Sequence, residues 1–194
     1  MGRMVSIKTN RLLLRELRKS DWQAIHEYAS DPDVVRYMDW GPNTIEQTKE
    51  FIEAATRDKH EKPRRIFTLA IVLKDEKTVI GSCGIHISSP ENREGWLGYC
   101  LNRECWKMGY GTEASTGLVD FGFHELGLHR IFATCAPENI ASSRVLEKSG
   151  MKKEGHLREH KWSKGEWRDS YLFAVLEKDW KRTVTGEDTT ITLS

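Results

Sequence analysis

Residues 104–115 read ECWKMGYGTEAS, and Gly109, Gly111 and Ala114 make a G-x-G-x-x-A pattern, the spacing of a turn that can hold a phosphate. A helix N-terminus leaves N–H groups unpaired and carries roughly half a positive charge, so a glycine turn that opens a helix suits an anion. Context argues against a dinucleotide. A dinucleotide turn follows its strand almost directly and is followed about twenty residues later by an acid for the ribose hydroxyl. Here seven residues, NRECWKM, separate the preceding apolar run from Gly109, and the next apolar segment, HRIFATCA, ends without an acid. The amides of Lys107, Met108, Gly109, Tyr110, Gly111 and Thr112 are instead placed to surround a diphosphate, with the two glycines permitting close approach.

Other residues offer acid–base chemistry. Asn139 and Ser142 are three apart and Leu146 follows Ser142 by four, which makes Asn139 a helix cap and turns Ser142 toward a sheet. Ser142 there either hydrogen-bonds a reacting group or rests in a first helical turn. Glu94 and Trp96 share a strand face, and Glu94 is a candidate base, acting directly or through water. In the segment 153–162, alternation puts His156, Arg158, His160 and Trp162 on one face and Glu159 and Lys161 on the other. Asp169 alternates with Trp167, Tyr171 and Phe173, either paired with Arg158 or Arg168 or ordering a substrate amine. His156 and His160 lack helical geometry and a cysteine pair, so no metal is expected.

The elements that must position these residues follow from periodicity. NRLLLRELR reads as a strand, and SDWQAIHEYAS as a capped helix with Trp22, Ile25 and Tyr28 on one face. A loop ending in Met38, Asp39 and Trp40 and a polar helix from about Thr44 to Lys59 form a shoulder. Three strands, 66–74, 78–88 and 95–101, have short links and so pair antiparallel. A helix from about Gly109 to Leu126 presents Ala114, Leu118 and Phe121 and stops at Gly127. HRIFATCA is a buried strand, a short helix ends near Gly150, and 153–162 and 166–177 form a hairpin around SKGE. The expectation is one α+β domain over 1–182 and a loose tail over 183–194.

The stretch LGYCLNRECWKMGYGTEA resembles the acetyl-CoA-binding segment of the GNAT superfamily of N-acetyltransferases, and in particular its RimJ/RimL branch. TNRLLLREL is similar to the branch's opening strand, DPDVVRYMDWGP to its first loop, PENIASSRVLEKSGMKKEGHLRE to its second cofactor segment, and GEWRDSYLFAVLEKDW to its final strand. The resemblance covers residues 7 to 180 and implies a mostly antiparallel, splayed sheet of about seven strands with flanking helices and one β-α-β crossover. It implies that the pantetheine arm of acetyl-CoA lies between strands 95–101 and 129–135, met by the peptide groups of Cys100 and Leu101, with Lys107 to Thr112 on the diphosphate. It gives Asn139 and Ser142 to the cofactor and makes Ser142 the acid for the departing thiolate; Trp40, Trp96 and Asp169 are the candidates for the acceptor site. Trp106 stands where Gln or Arg is usual, Lys107-Met108 where Gly-Lys is usual, and Trp96 where an acid often precedes the GY pair.

Bulk properties bound the partners. Thirty Lys and Arg against twenty-nine Asp and Glu give a net charge of +1, which argues against a sequence-independent nucleic-acid or acidic-membrane binder. The four cysteines, 83, 100, 105 and 135, lack C-x-x-C spacing and read as reduced thiols of a cytoplasmic protein. MGRMVS formally matches a myristoylation signal, with a tag or alternative start before Met4 as the plainer reading. The expected activity is transfer of an acetyl group to a primary amine, a protein N-terminus or a small amine such as an antibiotic or polyamine. The alternatives are a non-catalytic acyl-CoA-binding module and, more remotely, a nicotinamide oxidoreductase. A homodimer is an open possibility.

Overall fold

The computed structural model describes residues 4–180 and 189–193. One nine-stranded sheet carries the molecule, in the order β7-β8-β6-β5-β4-β3-β2-β1-β9. The strands are β1 Val5–Lys8, β2 Leu12–Glu16, β3 Ile66–Leu73, β4 Val79–Ser89, β5 Glu94–Leu101, β6 Arg130–Cys135, β7 Lys152–Ser163, β8 Glu166–Leu176 and β9 Thr190–Leu193. The helices are α1 Trp22–Ala29, α2 Ile45–Asp58, α3 Tyr110–His124 and α4 Ile140–Lys148. Every neighbouring pair is antiparallel except β5 and β6, which are parallel and joined through α3. A parallel pair needs such a crossover because a tight turn cannot reverse the chain twice.

Two apolar layers hold the sheet. On one side α3 buries Ala114, Leu118 and Phe121 against Ile7, Leu14, Ile85 and Ile131, and Phe121 meets Phe67 edge-on at 5.3 Å. Fully burying Leu118 or Phe121 contributes about 2–3 kcal/mol each. Gly127 then ends the α3 segment at φ +61°, as a left-handed stop requires. On the other side Ile25, Tyr28 and Ile52 from α1 and α2 cover Ala70, Val72 and Cys100. Thr44 starts α2 with a capping box, its hydroxyl accepting from the Gln47 N–H while the Gln47 side chain accepts from the Thr44 N–H.

The two strands beyond the expected seven are the shortest. β1 pairs with β2, and β9 pairs with β1 from Val5↔Leu193 to Lys8↔Thr190. Where the sequence reading expects a loose tail, Thr190–Leu193 therefore close the sheet edge. The alternating, β-branched TIT suits an edge strand, but four residues give too little periodicity to be read alone. Residues 181–188 and Ser194, which include the rest of that tail, and Met1–Arg3, where the myristoylation match begins, lie outside the described residues.

Candidate active site

The inner ladder of the sheet stops early. β5 and β6 are in register only from Glu94↔Arg130 to Trp96↔Phe132. Their outer ladders continue, β5 against β4 to Leu101 and β6 against β8 to Cys135, so the two strands diverge as a V. Beyond Trp96 the inner edge of β5 has no strand partner among the described residues. The Asn102 N–H donates to Ile80 O, which fixes the alternation along β5. Cys100, paired with Ser82, thus turns its peptide groups to β4, and its side chain lies in the α1–α2 layer. This corrects the expectation that Cys100 faces the opening. Tyr99 and Leu101 face it instead, and the Leu101 carbonyl accepts from Trp106 Nε1 at 3.0 Å.

At the wide end of the V the chain enters α3 through the glycine turn. Lys107 and Gly109 have φ of +64° and +83°, and among the described residues the N–H groups of 107 to 112 have no protein acceptor. The turn is pinned from the start of the chain. Arg11 Nη1 donates to Met108 O at 2.9 Å, its Nε bonds Glu113 at 2.8 Å, and its guanidinium lies 4.5 Å from the Tyr110 ring centre. Glu113 also accepts from the Thr9 hydroxyl and the Arg11 N–H, each at 2.7 Å. Burial alone raises the Glu113 carboxyl, but these hydrogen bonds and the Arg11 charge outweigh it and hold the group below its ordinary value. The two glycines differ. Gly109 is required by its positive φ, whereas a Cβ on Gly111 meets Leu101, Val145 and Tyr99 at 3.5–3.7 Å, ordinary contact. The expectation that both serve close approach therefore applies to their backbones unequally.

Helix α4 supplies the facing wall. The Asn139 side chain caps it by accepting from the Ser142 N–H at 3.1 Å. The Ser142 hydroxyl lies 2.9 Å from the Tyr99 hydroxyl, across from α4 on β5. Burial pushes the Tyr99 phenol well above its ordinary value despite the Ser142 bond, so it stays protonated and able to donate. Sequence reading missed Tyr99, although its alternation with Leu97 and Leu101 marks it as facing the helices. Arg11 gave no local signal, being 102 residues from Glu113.

The remaining candidates are dispersed. Glu94 sits where the sheet is still closed and pairs with Arg130 at 2.9 Å, which also holds Glu154 at 2.8 Å. Trp96 is exposed and meets His86 edge-on at 5.5 Å. Asp169 takes neither arginine expected of it. It accepts from the Glu159 N–H at 2.8 Å and bonds His156 Nε2 at 2.6 Å, and these two contacts hold its carboxyl below the ordinary value. The cause is a bulge in β7 between Leu157 and Lys161, which breaks the expected face alternation and leaves Glu159 at φ +47°. His160 bonds the buried Ser170 hydroxyl at 3.0 Å. The same hairpin grips the first loop: Lys161 bonds Asp39 at 2.8 Å, Lys164 donates to Val35 O at 2.7 Å, and Arg168 to Arg36 O at 3.2 Å. Trp40, in that loop, is exposed.

A family model described as an acetyltransferase (GNAT) domain matches residues 11–152. The chain belongs to the GNAT acetyltransferase family. Its sequence is similar to the uncharacterized N-acetyltransferase YnaD of Bacillus subtilis (strain 168), 38% identical over 90% of this chain and 98% of that protein. Its fold is similar to a GNAT-family acetyltransferase from Bacillus anthracis, at 35% identity and TM-score 0.79, covering 89% of this chain and 99% of that one. More distant relatives include the [ribosomal protein uS5]-alanine N-acetyltransferase of Escherichia coli (strain K12), 25% identical over 91% of this chain and 93% of that protein. Another is the spermidine N(1)-acetyltransferase of Vibrio cholerae, 24% identical over 87% of this chain and 94% of that protein. This GNAT enzyme is thus an N-acetyltransferase with acetyl-CoA as its donor. No helix among its described residues is long and apolar enough to cross a membrane.

Proposed function

We propose that this enzyme acetylates α-amines, in the manner of the RimJ/RimL branch. The reading rests on one observation: the two acids expected near the reacting centre are both engaged elsewhere, Glu94 by Arg130 and Asp169 by His156 and a backbone amide. A site without a strong base must take its acceptor already close to neutral. At pH 7 a lysine side chain costs about 4–5 kcal/mol to deprotonate and an α-amine only about 1 kcal/mol. The 25% identical uS5-alanine N-acetyltransferase supports an α-amine, while the spermidine relative keeps a small amine as the second reading.

In this reading the amides of Lys107 to Thr112 hold the diphosphate, and the peptide edge of Tyr99 and Leu101 aligns the pantetheine arm in the V. The neutral amine attacks the thioester carbonyl, the tetrahedral intermediate collapses, and the C–S bond breaks. The Ser142 hydroxyl donates to the departing sulfur, with the Tyr99 phenol donating to Ser142 Oγ in turn. A thiol of pKa about 8.5 is a tolerable leaving group that needs little more than such a hydrogen bond. Water carries the amine's proton away. The test compares free-N-terminal peptides with N-blocked lysine peptides across pH at saturating acetyl-CoA. The expected result is faster acetylation of the α-amine, with one apparent pKa near that of the acceptor. Faster lysine acetylation, or an enzyme group titrating near 6–7 in both profiles, would overturn it and make His160 the first residue to replace.

A further inference from the structure

Helix α3 carries an acid at the end that would receive the diphosphate. Glu113 lies in its first turn, where a carboxylate suits the helix dipole but repels a bound phosphate. The start of the chain answers that charge. Glu113 Oε1 accepts from the Thr9 hydroxyl and the Arg11 N–H, each at 2.7 Å, and Oε2 accepts from Arg11 Nε at 2.8 Å. The carboxylate is thus committed to the link between β1 and β2.

The Arg11 guanidinium has more to give. Nε goes to Glu113, Nη1 donates to Met108 O at 2.9 Å, and the group lies 4.5 Å from the Tyr110 ring centre. Those contacts hold it at the turn. Nη2 has no acceptor among the described residues, and it lies 3.2 Å from the position that a Cβ on Gly109 would take. The side chain is 45% exposed, so an oxygen from outside can reach it. Nη2 therefore adds a charged donor beside the unpaired N–H groups of 107 to 112. A guanidinium with one nitrogen held by the protein and another left open is well suited to a phosphate oxygen.

We infer that Arg11 is a phosphate ligand of the cofactor, its Nη2 donating to a phosphate oxygen of acetyl-CoA beside Gly109 while Nη1 and Nε hold the turn. The inference rests on the reading that the amides of 107 to 112 take the diphosphate, and it extends that site to a residue from the opposite end of the crossover. The oxygen belongs to the diphosphate or to the ribose 3′-phosphate. Both offer the same chemistry, and a ligand that lacks the 3′-phosphate separates them.

The experiment titrates the full chain calorimetrically with CoA and with dephospho-CoA at about 0.01 M and about 1 M salt, where screening lengths are about 30 and 3 Å. Arg11→Gln should lose about 5- to 20-fold in CoA affinity at low salt, less than a buried charge-assisted bond because the side chain is exposed. The loss should shrink at high salt, as a screened charge contact does and a loosened turn does not. An equal loss for dephospho-CoA assigns the contact to the diphosphate; no loss for dephospho-CoA assigns it to the 3′-phosphate. Should Arg11→Gln fail to fold, Arg11→Lys keeps the charge but has one ammonium for three acceptors, and a similar loss of CoA affinity is expected. CoA affinity within about twofold of wild type in the variant that folds, or an Arg11→Gln loss of the same size at both salt concentrations, overturns the inference. Amide shifts of residues 107 to 112 when CoA is added to the wild type test the parent reading separately. Their absence would sink that reading; their presence beside normal CoA binding by Arg11→Gln would remove only the Arg11 contact.

Discussion

Replacing Gly109 by Ala separates what the turn needs for its shape from what it offers a ligand. Gly109 sits at φ +83°, where a Cβ costs about 1–2 kcal/mol through its clash with the backbone. The new methyl lies 3.2 Å from Arg11 Nη2, the far end of a side chain 45% exposed, which can yield. The cost is therefore backbone strain, and the turn has two ways to bear it. If it keeps its shape, the free protein loses about 1–2 kcal/mol of stability, a fall in Tm of about 2–8 °C for a chain this long, and binding is unchanged. If it relaxes, the amides of 107–112 no longer converge. Restoring them on binding then costs the same free energy, a loss of about 5- to 30-fold in CoA affinity. By linkage, the stability loss of the free protein and the loss of binding free energy sum to about 1–2 kcal/mol whichever route is taken.

Gly111→Ala is the control, because its φ is not positive and its Cβ meets neighbours only at ordinary contact. There the sum should be near zero. Gly111→Asp, by contrast, drives a carboxylate into the space bounded by Leu101, Val145 and Tyr99, so it destabilises the fold as well as repelling a phosphate. Urea unfolding with and without CoA, combined with calorimetry, measures both parts for each variant. A Gly109→Ala sum below about 0.5 kcal/mol, or a Gly111→Ala sum equal to it, refutes the assignment of the strain to Gly109.

Two further outcomes follow from the same geometry. Ser142→Ala should lower kcat while leaving CoA affinity within about twofold, and Tyr99→Phe should slow the wild type but not the Ser142→Ala variant, since the phenol acts through the serine; additive losses in the double mutant would separate the two hydroxyls. Glu113 and Asp21 both have folded pKa values below their unfolded ones, so the stability they contribute is present above about pH 4.5 and is lost as pH falls through the lowered values. Glu113→Gln should accordingly flatten part of the acid limb of a stability–pH curve, and an unchanged limb would mean that Arg11 and Thr9 do not hold the carboxylate as described.

The sheet, the crossover and the glycine turn were legible because each is a local pattern. Short links force antiparallel neighbours, a long link permits the one parallel pair, and a helix N-terminus after Gly109 needs no distant partner. What escaped reading depends on contacts across the chain. Arg11 reaches Met108 and Glu113 only once β1 and β2 lie beside α3, and Asp169 finds His156 only because β7 bulges. Cys100 is a subtler case: the sequence shows which residues lie on β5 but not which edge each peptide faces. That depends on the register with β4, fixed by the Asn102 to Ile80 bond.

Glu94 shows how the same residue type changes role with its place along one strand. A carboxylate serves as a base when it is close to the amine and short of compensating charge. Glu94 meets neither condition. It lies at the closed end of the β5–β6 ladder, two rungs before the strands part, and Arg130 joins it to Glu154 on β7, so the three side chains tie together strands on both sides of the V. Arg130 is in turn held above its ordinary pKa, by Glu154 first and, against the opposing effect of burial, by Glu94 as well. An ion pair so placed fastens the closed end of the V, behind the Trp96↔Phe132 rung from which the strands part. The acid expected as a base is in this chain an ion-pair clasp at the closed end of the V, and in the proposed reaction proton removal falls to water and to the low intrinsic pKa of the acceptor. On that proposal the choice of amine, rather than any one protein carboxylate, carries the pH dependence of the reaction.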